Sequence, residues 1–234
     1  MIAVDYLVVA IVAGLAAIER KGFLQAMLSR PVALAPLTGL ALGDPYAGLM
    51  LGPPLELLWL GAVNLGAALP PHEALGAAAI TGGAVLAGRA LGTGVTPAVA
   101  AVTVALVAAL AVLGRGTDRL IEEWNVHLAR RAEALVERDA PRAAVRANLY
   151  GLLLPFAVSF VLAPMGAAAA AWLVPPFLRW LPDATVPLAY AWAALGGFAA
   201  AAGARAFRSQ RGLPLFASAA ALTAVLGTLA GAWP

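Results

Sequence analysis

Leu40 to Leu69 reads LALGDPYAGLMLGPPLELLWLGAVNLGAAL, a stretch that is almost wholly apolar, cut by Gly and Pro at short intervals, with the carboxylate of Glu56 in its middle. An ionised side chain at membrane depth costs roughly 2.5 to 3.5 kcal/mol on insertion scales, so it persists only where it faces protein, water or a ligand. The stretch therefore predicts a polar site inside a lipid-embedded protein.

Composition agrees. Hydrophobic residues make up 62% of the 234 and charged residues 12%, against about 25% charge in a soluble domain, and the mean hydropathy is +0.88. Cysteine is absent, which excludes disulfides, thiolate metal sites and a Cys nucleophile. The pI near 9.8 reflects three surplus positive charges scattered over membrane flanks. That pattern fits topology and anionic headgroups, not nucleic acid.

A membrane-spanning helix needs about 20 apolar residues. Ile2 to Ile18, Val95 to Leu113, Leu149 to Leu173, Val186 to Ala204 and Leu213 to Trp233 approach that length and are expected to cross fully. The first is stopped by Glu19, Arg20 and Lys21, the reverse of a signal peptide's basic start, so it reads as a retained crossing. Between Pro31 and Leu91 the prolines 31, 36, 45, 53, 54, 70 and 71 divide the chain into short pieces. Such pieces suit re-entrant or discontinuous helices, which must be buried in protein or line a cavity. The fold class is thus an all-α polytopic membrane protein with full transmembrane helices and Pro/Gly-broken ones.

Arg115 to Arg146, with seven Arg against six acids, reads as an amphipathic cytoplasmic connector whose apolar positions are Leu120, Trp124, Leu128 and Leu135. It divides the chain into a membrane region at 1–114, the connector at 115–147 and membrane helices at 148–234. Arg20 and Lys21, the connector, and Arg205, Arg208 and Arg211 carry the Lys/Arg signal for the cytoplasmic face, which leaves both termini periplasmic.

From Gln25 onward the residues form an ordered pattern: Arg30-Pro31, Gly39 to Asp44 as GLALGD, Gly48, Gly52, Leu55-Glu56-Leu57, Leu60-Gly61, Asn64, Gly66-Ala67-Ala68 and Pro70-Pro71. This order resembles the membrane component IIC of the mannose, fructose and sorbose family of sugar phosphotransferase systems. The resemblance is clear over Phe23 to Glu73; elsewhere it extends to length, hydropathy and a polar middle. Two departures stand out. Pro53-Pro54 replaces the usual small residues before the Leu-Glu-Leu motif, and His72 followed by Glu73 replaces an acidic residue after the Pro-Pro.

The resemblance implies a sugar pathway through a bacterial cytoplasmic (inner) membrane, built with the membrane component IID. It also implies soluble IIA and IIB phosphocarriers that phosphorylate the sugar on arrival, with the phosphoryl group carried on their histidines. No catalytic phosphoryl-carrying residue and no cofactor are expected in this chain. An oligomeric assembly in lipid is expected, with no nucleic acid partner.

Sugar hydroxyls need partners that accept and donate. Glu56 accepts two hydroxyl protons, and Asn64 offers both roles; on one straight helix they stand about 80° apart, so they converge only around a bend, for which Gly61 is placed. The bland alternative has Glu56 capping a helix or pairing with Arg30. Asp44, between Gly43 and Pro45, is a further candidate for contact with the sugar and has the signature of a helix N-cap, and Trp59 is a candidate for stacking on a sugar face or for an interface belt shared with Trp172, Trp180, Trp192 and Trp233. Arg30 and Arg89 read as partner or structural residues, snorkelling toward an interface or, for Arg89, pairing with Glu73 or Glu56. His72, read as a loop residue, and His127 lack neighbours at metal spacing, so no metal site is expected. The alternatives to a sugar-translocating subunit are an ion- or proton-coupled transporter with Glu56 as relay and a non-transporting relative that binds partners through the connector.

Overall fold

The computed structural model describes residues 2–60 and 69–206. Asn64, Gly61, the crossing placed at Leu213 to Trp233, and the residues Arg208, Arg211 and Trp233 lie outside these. Among the described residues the regular elements are all helical: α1 (Ile2–Lys21), α2 (Pro31–Ala41), α3 (Pro45–Trp59), α4 (Glu73–Leu91), α5 (Pro97–Glu137), α6 (Pro141–Tyr150), α7 (Leu153–Trp180) and, after a 3-10 turn at Pro182–Ala184, α8 (Thr185–Ala206). Among the described residues, four helical runs are long and apolar enough to cross a membrane: Glu73–Leu91, Pro97–Glu137, Pro141–Trp180 and Pro182–Ala204. The protein is a multi-pass, all-α membrane protein.

Helix α4 is the axis of the bundle. Every residue from Glu73 to Gly88 is buried, which requires a helix apolar on all sides, and its sequence supplies Ala and Gly in place of bulk. A Cβ at Gly82 would lie 2.6 Å from Val9 of α1, one at Gly83 2.6 Å from Ala170 of α7, and one at Gly76 2.8 Å from both Trp59 of α3 and Ala111 of α5. Small residues let backbones approach where lipid supplies no hydrophobic drive between helices. Helices α4 and α7 run parallel, with α1 and α5 antiparallel to them, so the N-terminal ends of α4 and α7 meet the C-terminal end of α1 and the middle of α5.

Helices α2 and α3 form a hairpin against this core. Their 11 and 15 residues span about 16 and 22 Å, each short of a hydrocarbon layer of about 30 Å. Their contact is also made by glycine: a Cβ at Gly48 would lie 2.3 Å from the carbonyl oxygen of Ala35, and one at Gly39 2.5 Å from that of Asp44. The tip is closed by Gly43 in the left-handed region at φ 78°. There the Asp44 N–H donates to Gly39 O at 2.8 Å, and the Arg89 guanidinium donates to Leu42 O. The Asp44 N–H and the Leu42 carbonyl, two of the backbone groups that a chain break would leave unmet in lipid, are thereby satisfied. Pro53-Pro54 does not end α3, which continues to Trp59 although two donors are missing.

Helix α5 differs from the expected connector. It runs unbroken for 41 residues, about 60 Å, so roughly half its length extends past a hydrocarbon layer of about 30 Å. Its inward face in the polar half is Asp118 and Ile121, while Leu120 and Trp124 are 64% and 57% exposed. The apolar positions read from sequence therefore divide between two faces. Burial follows the stripe that meets α1 and α6, and Leu120 and Trp124 continue the exposed face of Leu106 and Leu113.

Two outcomes follow from this packing. Gly83→Ala should destabilise the protein by about 1 to 3 kcal/mol through overpacking, whereas Gly197→Ala, where a Cβ meets nothing within 4 Å, should gain up to about 1 kcal/mol from helix propensity; thermal melting of the purified variants reads both signs. Because the chain has no Cys, Arg138→Cys and Thr93→Cys give single labels. An impermeant maleimide should reach the first only from the cytoplasmic face and the second only from the opposite one.

Candidate functional site

The fold brings together three of the five charged residues between Gly22 and Gly114. Arg30 is the residue before α2, in extended backbone set by Pro31, as expected of a pre-proline position. Glu56 sits one turn before the end of α3, and Glu73 opens α4. Arg30 Nε donates to Glu56 Oε1 at 2.9 Å and its Nη2 to the same oxygen, while Nη1 donates to Glu73 Oε1 at 3.0 Å. The second oxygen of Glu56 accepts the Val32 N–H, in the first turn of α2, at 3.3 Å.

One guanidinium is thus shared by two carboxylates, on a hairpin helix and on the central helix. The side chains of Arg30, Glu56 and Glu73 are 26%, 14% and 10% exposed. Desolvating such ions costs several kcal/mol each, offset by mutual attraction and good hydrogen bonds. The balance is incomplete: Glu73 Oε2 is buried and has no partner among the described residues. Chemically the group offers five guanidinium N–H donors next to carboxylate acceptors, the mixture that a polyhydroxyl ligand requires.

The other residues read from sequence fall elsewhere. Asp44 is the N-cap of α3, accepting the Ala47 N–H at 3.0 Å; it lies a helix length, about 18 Å, from Glu56. Trp59 is 6% exposed and packs on Gly76, so in this structure it belongs to the core and not to an interface belt, unlike Trp172 and Trp180 at 78% and 79%. Arg30 does not snorkel alone, since Glu56 and Glu73 hold it. Arg89 pairs with neither of those acids; its Nη1 is 3.2 Å from Asp5 Oδ2, at the opposite end of the bundle. Asp5 was out of reach of a sequence reading because 84 positions of chain separate the two partners.

A second polar cluster at the Glu73 end was also missed. Asp118 of α5, 1% exposed, accepts from Arg20 Nη1 at 2.8 Å. Lys21 Nζ lies 3.2 Å from its other oxygen, an ion contact without hydrogen-bond alignment. His72, read as a loop residue, is 1% exposed and caps α4: its Nδ1 accepts the Leu75 N–H at 3.2 Å, which assigns the ring proton to Nε2, 3.5 Å from Ser159 Oγ. Its burial follows from Gly114, where an added Cβ would sit 2.6 Å from His72 Cβ. Only the pattern of a polar residue directly before an Ala/Gly helix hinted at a cap.

A crevice of about 840 Å³ lies between α1, α2 and the start of α7, lined by Val12, Leu15, Phe23, Leu34, Leu37 and Leu152 among others. Its one acid, Glu19, is engaged by the Leu28 and Ser29 N–H groups at 3.3 and 3.0 Å. An apolar lining gives hydroxyl groups nothing to pair with, so the ionic group and not the crevice is the candidate site.

The profile of the family described as PTS system sorbose-specific IIC component matches residues 3–206. The chain is 44% identical over 73 residues, 31% of its length, to a putative N-acetylgalactosamine permease IIC component 2 of Escherichia coli (strain K12). It is 36% identical over 94 residues, 40% of its length, to a fructose permease IIC component of Bacillus subtilis (strain 168). These matches span 50% and 34% of the relatives' own lengths. Among solved structures, a membrane protein chain superposes with TM-score 0.70 at 23% identity, and a chain of the mannose transporter ManYZ in complex with microcin E492 with TM-score 0.61 at 22% identity; each match covers 98% of this chain and 94% of the other. These likenesses bear on the fold, and they agree with the all-helical membrane architecture. With the family profile running over most of the sequence and through all three residues of the shared ion group, this chain belongs to the family described as PTS system sorbose-specific IIC component.

Proposed function

We propose that the chain is the sugar-translocating IIC subunit of a mannose-family, phosphoenolpyruvate-dependent phosphotransferase system in a bacterial cytoplasmic membrane, and that Glu56 is its central sugar-binding residue. The observation that carries the reading is the Arg30, Glu56 and Glu73 group, held where two short helices meet the central one. Ionised groups buried inside membrane proteins are retained for function, and substrate sites of transporters lie at discontinuous helices. The names of the relatives, permeases for N-acetylgalactosamine and fructose and a mannose transporter, support a hexose or a close derivative as cargo.

In this reading Glu56 accepts hydroxyl protons from the sugar, Arg30 donates to its oxygens, and Asn64 supplies a further donor and acceptor. Asp44 and Trp59 serve by shaping α3: Asp44 fixes its first turn, and Trp59 seats its last turn on Gly76. The bond-making step belongs to partners. A IIB phosphocarrier, charged by IIA, phosphorylates the sugar as it reaches the cytoplasmic face, and component IID completes the membrane pathway in an oligomeric assembly.

Glu56→Gln keeps the size of the side chain and removes its charge. In cells that also make IIA, IIB and IID, it should reduce sugar uptake at least a hundredfold while the protein still inserts; removing one good charged hydrogen bond of about 3 kcal/mol has that effect. Uptake at the parental rate would remove Glu56 from the site. Deleting IIB should abolish accumulation and a proton uncoupler should not, the reverse of what a proton-coupled carrier gives.

A further inference from the structure

Arg30 holds neither carboxylate in the two-pronged fork that guanidinium and carboxylate favour. Its Nε and Nη2 converge on one oxygen of Glu56, and only Nη1 reaches Glu73. Glu56 has both oxygens engaged, the second by the Val32 N–H, so in this arrangement its carboxylate is spoken for. Glu73 has the opposite surplus: the residue is 8% exposed, and its Oε2 is buried without a partner among the described residues. Buried acceptors are nearly always satisfied, and an exception calls for a physical explanation.

We propose that Glu73 is the alternative seat of Arg30, a positioning residue that makes Glu56 available to the sugar. This rests on the reading of Glu56 as the sugar-binding residue. With one cation and two carboxylates, two arrangements of similar composition exist. In the one described, Arg30 is drawn to Glu56 and bridges to Glu73. In the other it turns its fork fully onto Glu73, filling the vacant oxygen, and sugar hydroxyls replace it on Glu56. Neither carboxylate is left without a donor in either arrangement, because the hydroxyls donate to the carboxylate that the guanidinium leaves.

The exchange also has a mechanical side. Glu56 belongs to the hairpin and Glu73 to the central helix, and Arg30 is the ionic tie between them. Arg30 stands at the base of α2, so when the sugar takes Glu56 the ionic link inside the hairpin, from α2 to α3, is exchanged for a fuller link from the hairpin to α4, and occupancy of the site is converted into a change in how the hairpin is held against the central helix. A ligand shifts such an equilibrium only by its differential affinity for the two states, and Glu73 supplies that difference by stabilising Arg30 in the occupied one.

The test is Glu73→Gln beside Glu73→Asp, assayed by uptake kinetics with the IIA, IIB and IID components present. Fructose, mannose, sorbose and N-acetylgalactosamine serve as probes, with membrane abundance and melting temperature measured in parallel. Without a carboxylate at position 73, Arg30 loses its second seat and stays on Glu56. KM should then rise about tenfold, within the usual range of coupling between states, at unchanged maximal rate and abundance, and Glu73→Asp should recover most of the loss. Parental KM in Glu73→Gln overturns the proposal, as does a fall in abundance or melting temperature in both variants without a change in KM, since Glu73 is then purely structural. Glu56→Gln separates the two claims: normal uptake in that variant defeats the sugar-site reading itself, whereas abolished uptake there with parental KM in Glu73→Gln defeats only the exchange.

Discussion

The structure depends on a helix that keeps no neighbour at a distance. From Glu73 to Gly88 α4 is buried on every side, and at Gly76, Gly82 and Gly83 the side chains of four other helices occupy the space that a Cβ would need. In a bilayer the lipid tails are as apolar as leucine, so helices associate through close van der Waals contact and polar bonds. An Ala/Gly helix at the centre supplies the first, and the charged groups at its ends supply the second.

Those charges are sorted by end. At the Asp5 end, Arg89 ties α4 to α1 and to the hairpin tip at Leu42 O, and Arg179 of α7 donates to Ala90 O at 3.0 Å. At the other end, Arg20 and Lys21 tie α1 to Asp118 of α5, His72 caps α4, and Arg30 joins the hairpin to α4 through Glu56 and Glu73. The two ends differ in kind. The Asp5 end pairs one acid with one base and uses the remaining donors on backbone carbonyls, which makes it a fixed joint. The Arg30 group shares one partly buried cation between two acids, which is what the exchange proposed above draws on.

The sequence was informative wherever the physics is local. Gly43, Asp44 and Pro45 specify a left-handed turn followed by a capped helix, and that is what stands at the hairpin tip. The prolines from Pro31 to Pro54 specify short helices, and α2 and α3 are short, whereas Glu73–Leu91 of the same stretch, which holds no proline, forms one helix long enough to cross a membrane. The ordered residues from Arg30 to Pro71 carried the family resemblance because they are adjacent in the chain. The reading erred where neighbours come from far along it. Leu120 and Trp124 marked the apolar positions of an amphipathic connector and are exposed, but the buried Asp118 beside them was not singled out, because its partners on α1 lie nearly a hundred residues away. His72, read as a loop residue, does precede α4 as its N-cap; what the sequence did not show is that it is buried, because Gly114 leaves room for its ring.

Composition and periodicity alone determined that this chain lives in a membrane, that it is helical, and that a broken segment with a lone central carboxylate is where function is to be sought; each follows from the cost of unpaired polar groups in hydrocarbon, which acts residue by residue. Tertiary structure alone decided that the carboxylate is not lone. Arg30, Glu56 and Glu73 sit on three different elements, and only the close approach of those elements, permitted by glycines on α2, α3 and α4, brings them within hydrogen-bond distance. Pairing between charges depends on separation in space, which separation along the chain does not fix.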